Sequence, residues 1–139
     1  MATRRQSREC ALQMLYACDN CSMDEQAIFT CFDELLPVEI PYRTFAVDLY
    51  RGVCSHREEI DSLIEKYADN WEIARMTVVD RNIMRLAGYE ILYTPKTPIN
   101  VIIDEAVEIS KIYSNRDSSR FVNGVLDKIQ RERKNHIEK

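Results

Sequence analysis

Residues 97–113 read TPINVIIDEAVEISKIY, and the assignment of this stretch decides the fold. Its first apolar run, Ile99 to Ile103, is β-branched enough to suit a strand. Over the whole stretch, however, Ile99, Ile102, Ala106, Ile109 and Tyr113 recur at helical intervals for four turns, a spacing that strand alternation does not produce. Thr97 can cap such a helix, and Pro98 suits its first position, where no N–H is needed. The run is therefore assigned to a helix, and the chain reads as all-α.

The same period extends outward on both sides. From Thr77 to Tyr93, one face carries Val79, Ile83, Leu86, Ala87 and Ile91, with Gly88 beside them. Glu90 falls on or near that face, so an ion pair with Arg85 or Arg81 is expected, because a buried carboxylate needs a partner. Downstream, Asp117-Ser118-Ser119 is expected to cap a last helix that runs to about Arg133 on a seam of Val122, Val125, Leu126 and Ile129. Asn123-Gly124 ordinarily marks a turn. Here it interrupts an unbroken seam, so Gly124 is expected where another helix backbone comes close.

Upstream, Ile60, Leu63, Ile64 and Tyr67 define a helix opened by Glu58 and Glu59, acids that favour a helix N-terminus. Phe45, Leu49 and Val53 define another, with Gly52 and Ser55 near its end. Ile28, Phe32, Leu35 and Leu36 place a third from about Asp24 to Leu36, and Pro37 and Pro41 bracket the connection that follows. Asp69-Asn70-Trp71 breaks the chain into halves of about 1–70 and 71–139, and Trp71, Ile73 and Met76 are expected to plug the junction. About seven helices in one domain account for the sequence.

Composition agrees. With 139 residues, 45% apolar and 30% charged, the chain suits one soluble globular domain rather than a disordered segment. Three glycines and four prolines are too few for an all-β protein with many tight turns. The net charge of −4 excludes a protein that is basic throughout, but the charge is unevenly spread. Residues 1–18 carry three arginines against one glutamate, and residues 19–80 carry fourteen acids against five bases. Residues 127–139 are again basic. If the two ends meet, they form a local basic patch for an anionic polymer. The acidic middle suits either a basic protein partner or an ordinary solvated face.

Cys10, Cys18, Cys21, Cys31 and Cys54 follow no disulfide framework. Cys10 and Cys18 fit as small core residues. Cys18-x-x-Cys21 lacks a second ligand pair, since His56 and His136 do not supply one, and no metal is expected. Neither a signal peptide nor a membrane-spanning run is legible, so a reducing cytoplasm is the expected home.

No nucleophile–base pair, metal cluster or Gly-rich phosphate cradle is visible, and neither enzymatic activity nor a cofactor is expected. Two constellations remain. In the first, residues 4–16, RRQSRECALQMLY, a helix advancing about 100° per residue puts Arg5, Glu9, Gln13 and Tyr16 on one stripe. Arg4 and Arg8 lie beside it, and Ala11, Leu12, Leu15 and Cys18 fall opposite. Guanidinium, amide and phenol groups of this kind grip phosphates, hydrogen-bond base edges and stack on unpaired bases. A solvated turn with an exposed tyrosine has the same pattern. The second constellation, Asp117-Ser118-Ser119-Arg120-Phe121, concentrates helix N-terminal N–H groups, hydroxyls, a guanidinium and a ring. Phe121 can serve as a stacking platform or as core. Rings and guanidinium forks without a helix-turn-helix or zinc-finger pattern favour unpaired RNA over duplex DNA.

Four blocks together resemble the NusB family of bacterial transcription antitermination factors: residues 4–16, W-x8-DRNIMRLAGYEIL from Trp71 to Leu92, residues 97–113, and SSRFVNGVLDKI at 118–129. They occur in the family's order and spacing, and FVNGVLD, from Phe121 to Asp127, is the most specific. The resemblance implies an all-α fold of two three-helix sub-bundles plus a connecting helix, without enzymatic activity. It implies binding of single-stranded boxA RNA in nascent ribosomal RNA transcripts together with ribosomal small-subunit protein ten (NusE). The complex would act with RNA polymerase and other Nus factors.

By the same resemblance, RNA contacts are expected at Arg4, Arg5, Arg8, Gln13, Tyr16, Arg120 and Phe121. Partner contacts are expected at Asp80, Glu105 and Asp117, the last at the rim of the RNA region. The arginine cluster departs from the family pattern in being short and split by Gln6 and Ser7, which gives partner assistance more weight. The sequence is also compatible with self-association into a homodimer. Two other functions fit parts of the chain. One is a protein-binding adaptor that uses the acidic middle. The other is the RNA-binding domain of a ribosomal RNA methyltransferase, against which the lack of a nucleotide-binding glycine loop counts.

Overall fold

The computed structural model of the chain describes residues 4–35 and 40–137, and every regular element among them is helical. The order is α1 (Arg4–Cys21), α2 (Glu25–Leu35), α3 (Ile40–Ser55), α4 (Arg57–Tyr67), a 3-10 turn (Ile73–Arg75), α5 (Val78–Tyr93), α6 (Ile99–Tyr113), α7 (Arg116–Ile129) and α8 (Arg131–Ile137).

The centre is α5, which packs against α1, α3, α4, α6, α7 and α8. It is buried on nearly all sides from Asn82 to Leu92, as expected of a helix enclosed by others. Thr77 caps it, accepting the Asp80 N–H at 3.1 Å. Gly88 lets the Ile60 methyl come within 3.2 Å of the space a Cβ would fill.

The stretch 99–113 is helical throughout, with Ile102, Ile103, Ala106 and Ile109 buried. Its N-cap is Pro98, which has no side-chain bond to offer. Thr97, the expected cap, is instead tied into the preceding turn by its N–H to the Thr94 carbonyl at 3.0 Å.

The last expected helix is two helices. Asn115, not Asp117, caps α7 and accepts the Ser118 N–H at 2.8 Å, which moves the start upstream. After α7 ends, Gln130 keeps right-handed helical backbone and α8 follows, packed against α5 and α7. There Arg133 donates to the carbonyls of Ile91 (2.8 Å), Thr94 (3.1 Å) and Thr97 (2.8 Å). A guanidinium thus takes up one carbonyl in the last turn of α5 and two in the connection that follows.

Two further expectations are corrected. Among the described residues, nothing beyond Gly124's chain neighbours and its own stretch of helix lies within 4 Å of a Cβ built there, so no other described helix approaches it. The close approach is at Gly52, where a Cβ would collide with the Tyr89 ring. Trp71 does not plug the junction. It is 44% exposed and follows a turn in which Asp69 and Asn70 both take left-handed backbone, φ 55° and 63°. Buried Met76 and half-buried Ile73 occupy the junction instead. Pro41, expected at the far edge of the connection, lies in the first turn of α3, a position that tolerates a missing N–H. Leu36, Pro37 and the side chains of Phe32 and Leu35 lie outside the described residues.

Candidate nucleic-acid interface

α1 turns one face to the core and one outward, and the boundary falls differently from the sequence expectation. Arg8 is on the inner face with Ala11, Leu12 and Leu15. Its Nε donates to Glu90 Oε2 at 2.9 Å and its Nη2 to Oε1 at 2.8 Å, with the two side chains only 5% and 2% exposed. Arg8 is therefore not presented to a ligand. Glu90 is paired as anticipated, but with Arg8 rather than with Arg85 or Arg81.

Those two arginines serve the far end of α1. Arg81 grips both oxygens of Asp19 at 2.7 Å, and Asn82 adds a bond at 3.0 Å. Arg85 bridges Asp19 at 2.9 Å and Asp61 at 2.8 and 3.0 Å. Burial pushes the Asp19 carboxyl up. The hydrogen bonds from Arg81 and Asn82 and the charges of Arg85 and Arg81 outweigh it and hold the pKa at about 2.

Outward from α1 point Arg4, Arg5, Gln13 and Tyr16. The Arg4 guanidinium stands 4.5 Å above the centre of the Phe45 ring, a cation–π contact that orders a side chain otherwise free to wander. Arg5 donates to Glu105 at 2.5 and 3.2 Å and keeps 40% of its side chain exposed. Gln13 donates to the Tyr113 hydroxyl at 3.1 Å. Arg5–Glu105 and Gln13–Tyr113 are pairs at the same offset, so α1 and α6 run parallel and in step. Tyr16 is 39% exposed, its hydroxyl accepting from Asn20 at 3.3 Å.

On α7, Arg120 and Phe121 are consecutive, about 100° apart around the helix, and meet different neighbours. Arg120 lines an open groove of about 580 Å³ with Lys111, Arg116 and Asn123. Phe121 is half-buried, its ring centre 5.3 Å from that of Trp71 in an edge-on arrangement. The hydroxyls and N–H groups expected to greet a phosphate are largely engaged within the protein. Asn115 takes the N–H of Ser118 through its side chain and that of Ser119 through its carbonyl. The Ser118 hydroxyl goes to Asp80 at 3.0 Å and the Ser119 hydroxyl to the Arg116 carbonyl at 2.7 Å.

The partner-facing residues divide similarly. Asp80 is buried, with one oxygen bonded to Ser118 and the other without a hydrogen-bond partner. It locks α5 to α7 and presents nothing to a partner. Glu105 and Asp117 stay at the surface. Along the outer side of α6, Glu105 and Glu108 lie between exposed Val101 and Ile112, the latter 61% exposed. The roles of Trp71, Phe45, Lys111 and Arg116 were not foreseen. Trp71 had a sequence signal, since a lone aromatic ring follows a pair of turn formers. No group of His, Cys, Asp and Glu among the described residues could hold a metal, and no described helix is long and apolar enough to cross a membrane.

Comparison with known proteins completes the picture. The model of the NusB family matches residues 5–131. The transcription antitermination protein NusB of Elusimicrobium minutum is 42% identical over 137 residues, covering 97% of this chain and 98% of that protein. Its counterpart in Desulforapulum autotrophicum is 46% identical over 132 residues, covering 94% and 92%. Among solved structures, T. maritima NusB superposes with a TM-score of 0.85 at 36% identity, covering 99% of both chains. A crystal structure of the antitermination factors NusB and NusE in complex with double-stranded RNA matches with a TM-score of 0.85 at 29% identity, covering 92% of this chain and 96% of that one.

Proposed function

The chain belongs to the NusB family, and from that premise we propose that it is an RNA-binding transcription antitermination factor. It recognises the boxA element of nascent ribosomal RNA transcripts together with ribosomal small-subunit protein ten (NusE). The pair acts in the cytoplasm on RNA polymerase elongation complexes that carry other Nus factors. The observation that carries this reading is the outward stripe of α1 within a NusB-family chain, where Arg4, Arg5, Gln13 and Tyr16 leave polar and aromatic groups accessible.

The RNA face comprises these four residues with Arg120 and Phe121, and Asp117 stands at its rim. Arg8 supports the face from beneath by holding α1 on α5. The partner face is the outer side of α6, where acidic Glu105 and Glu108 between apolar Val101 and Ile112 suit a basic ribosomal protein. Both faces belong to one domain whose halves divide near Asn70.

The test is binding of a boxA RNA and a scrambled RNA of equal length, each with and without NusE, across a salt series. A duplex of the same sequence forms a further arm. Single-stranded boxA RNA binds most tightly, and Arg4→Ala and Arg5→Ala each lower the log–log salt slope by about 0.7, the single-strand value per phosphate. Equal affinity for boxA and scrambled RNA, even with NusE present, overturns sequence-specific recognition. Preference for the duplex overturns the single-strand assignment.

A further inference from the structure

Three features come together around the first turns of α7. Trp71, the chain's one tryptophan, is 44% exposed although it packs edge-on against Phe121. A tryptophan that merely sealed a junction would be covered. Here two left-handed residues, Asp69 and Asn70, turn the chain so that the indole stands at the surface, at a backbone cost that non-glycine residues ordinarily avoid. Gly124 lies one turn beyond Arg120 and Phe121, at the i+4 and i+3 spacings that make surface neighbours on a helix. A glycine inside a helix costs stability relative to alanine, and at Gly124 no packing contact among the described residues offsets that cost, since nothing stands within 4 Å of where a Cβ would be. Arg120 is exposed at the same patch and makes no ion pair among the described residues.

We propose that Trp71, Phe121 and the bare backbone at Gly124 form a shelf that takes one unpaired RNA base. The base stacks on the exposed indole, which Phe121 buttresses edge-on, and lies close to α7 where a side chain would hold it off, while Arg120 meets the adjoining phosphate. Aromatic faces accept any base, so the shelf contributes affinity and register, and base-edge contacts elsewhere supply sequence preference. This inference rests on the RNA-binding reading and adds to it a stacking residue and a steric requirement.

The test uses the full chain with NusE and a single-stranded boxA RNA. RNA binding quenches the emission of the sole indole. Trp71→Ala weakens binding by roughly 5- to 150-fold, the range for loss of one stacked base, and leaves the salt slope unchanged. Trp71→Phe retains most of the affinity.

Gly124→Gln separates this shelf from a packing role, because the two predict opposite combinations. A better helix former in open space raises Tm by roughly 2–5 °C, yet the same variant loses RNA affinity. RNA binding by the wild type with unchanged indole emission, together with wild-type affinity in Trp71→Ala, overturns the ring's role. Wild-type affinity in Gly124→Gln overturns the close approach to the backbone. Failure of the wild type to bind boxA RNA at all is a different result and overturns the RNA-binding reading itself.

Discussion

Arg8 and Glu90, 82 residues apart in sequence, form a two-pronged ion pair sealed between α1 and α5. α1, which carries the proposed RNA stripe, is thus fixed to the central helix by an arginine that the family resemblance counted among the RNA contacts. Removing one partner of a buried pair leaves an uncompensated charge and costs about 3–5 kcal/mol. Arg8→Ala is therefore expected to lower the urea midpoint sharply, and its RNA binding should fall with the folded fraction. Replacing both partners with apolar residues, Arg8→Met with Glu90→Leu, should recover much of the stability. Arg4→Ala, at the surface beside it, should leave the midpoint nearly unchanged and lower RNA binding alone. A stable Arg8→Ala variant would contradict the buried pair.

The cluster around Asp19 gives the protein a specific weakness to acid. Its carboxyl is held at about 2 against an ordinary 3.8, so the folded state binds this proton less readily than the unfolded chain. A depressed carboxyl pKa contributes stability above the unfolded value and loses it as pH falls, here between about pH 4 and pH 2. The shift corresponds to about 2 kcal/mol. Asp19→Asn should be less stable at neutral pH and should show a flatter stability profile through that window than the wild type. Thermal melts at closely spaced pH values measure both effects, and parallel profiles for the two proteins would rule out the linkage.

Much of this architecture was legible in the sequence, because helical periodicity is a local signal. Residues 99–113 overrode their β-branched start once four turns were considered together, and Glu90 was recognisable as a buried acid that needed a cation. The identity of that cation was not, since Arg8 comes from another helix. Even so, its position three, four and seven residues before Ala11, Leu12 and Leu15 put it on the inner face. The family resemblance placed Asp80 among the partner contacts, and nothing local in the sequence announced that Ser118 of α7 would bond to it in a buried position. Trp71 and Gly124 were assigned by the habits of their residue types. Both depend on the backbone path, Trp71 on the left-handed turn before it and Gly124 on the absence of any helix crossing at that point.

Gly52 offers a direct contrast to Gly124. A Cβ at Gly52 would run into the ring of Tyr89, which sits in a cluster with Tyr93 and His56. Gly52→Ala must displace that ring, and overpacking of this kind costs about 1–3 kcal/mol, more than alanine's helix preference returns. Denaturant melts should show Gly52→Ala destabilised. Tyr89→Leu in the same background should recover part of the loss by vacating the space. Equal midpoints for wild type and Gly52→Ala would mean that the ring yields freely.

Arg5 and Glu105 join the two proposed faces, since one belongs to the RNA stripe and the other to the partner stripe. Their hydrogen bond raises the Arg5 pKa, and the guanidinium must be shared between Glu105 and any incoming phosphate. A pair this exposed contributes little to stability, so Glu105→Gln should fold normally. Without the competing carboxylate, Arg5 becomes fully available. Affinity of the isolated chain for boxA RNA should then rise, with a salt slope steeper by up to about 0.7. NusE binding should weaken if Glu105 meets a basic residue of the partner, so one substitution should move the two affinities in opposite directions. Filter binding for RNA and calorimetry for NusE read them separately. A drop in RNA affinity would show instead that Glu105 positions Arg5 for the phosphate rather than competing with it.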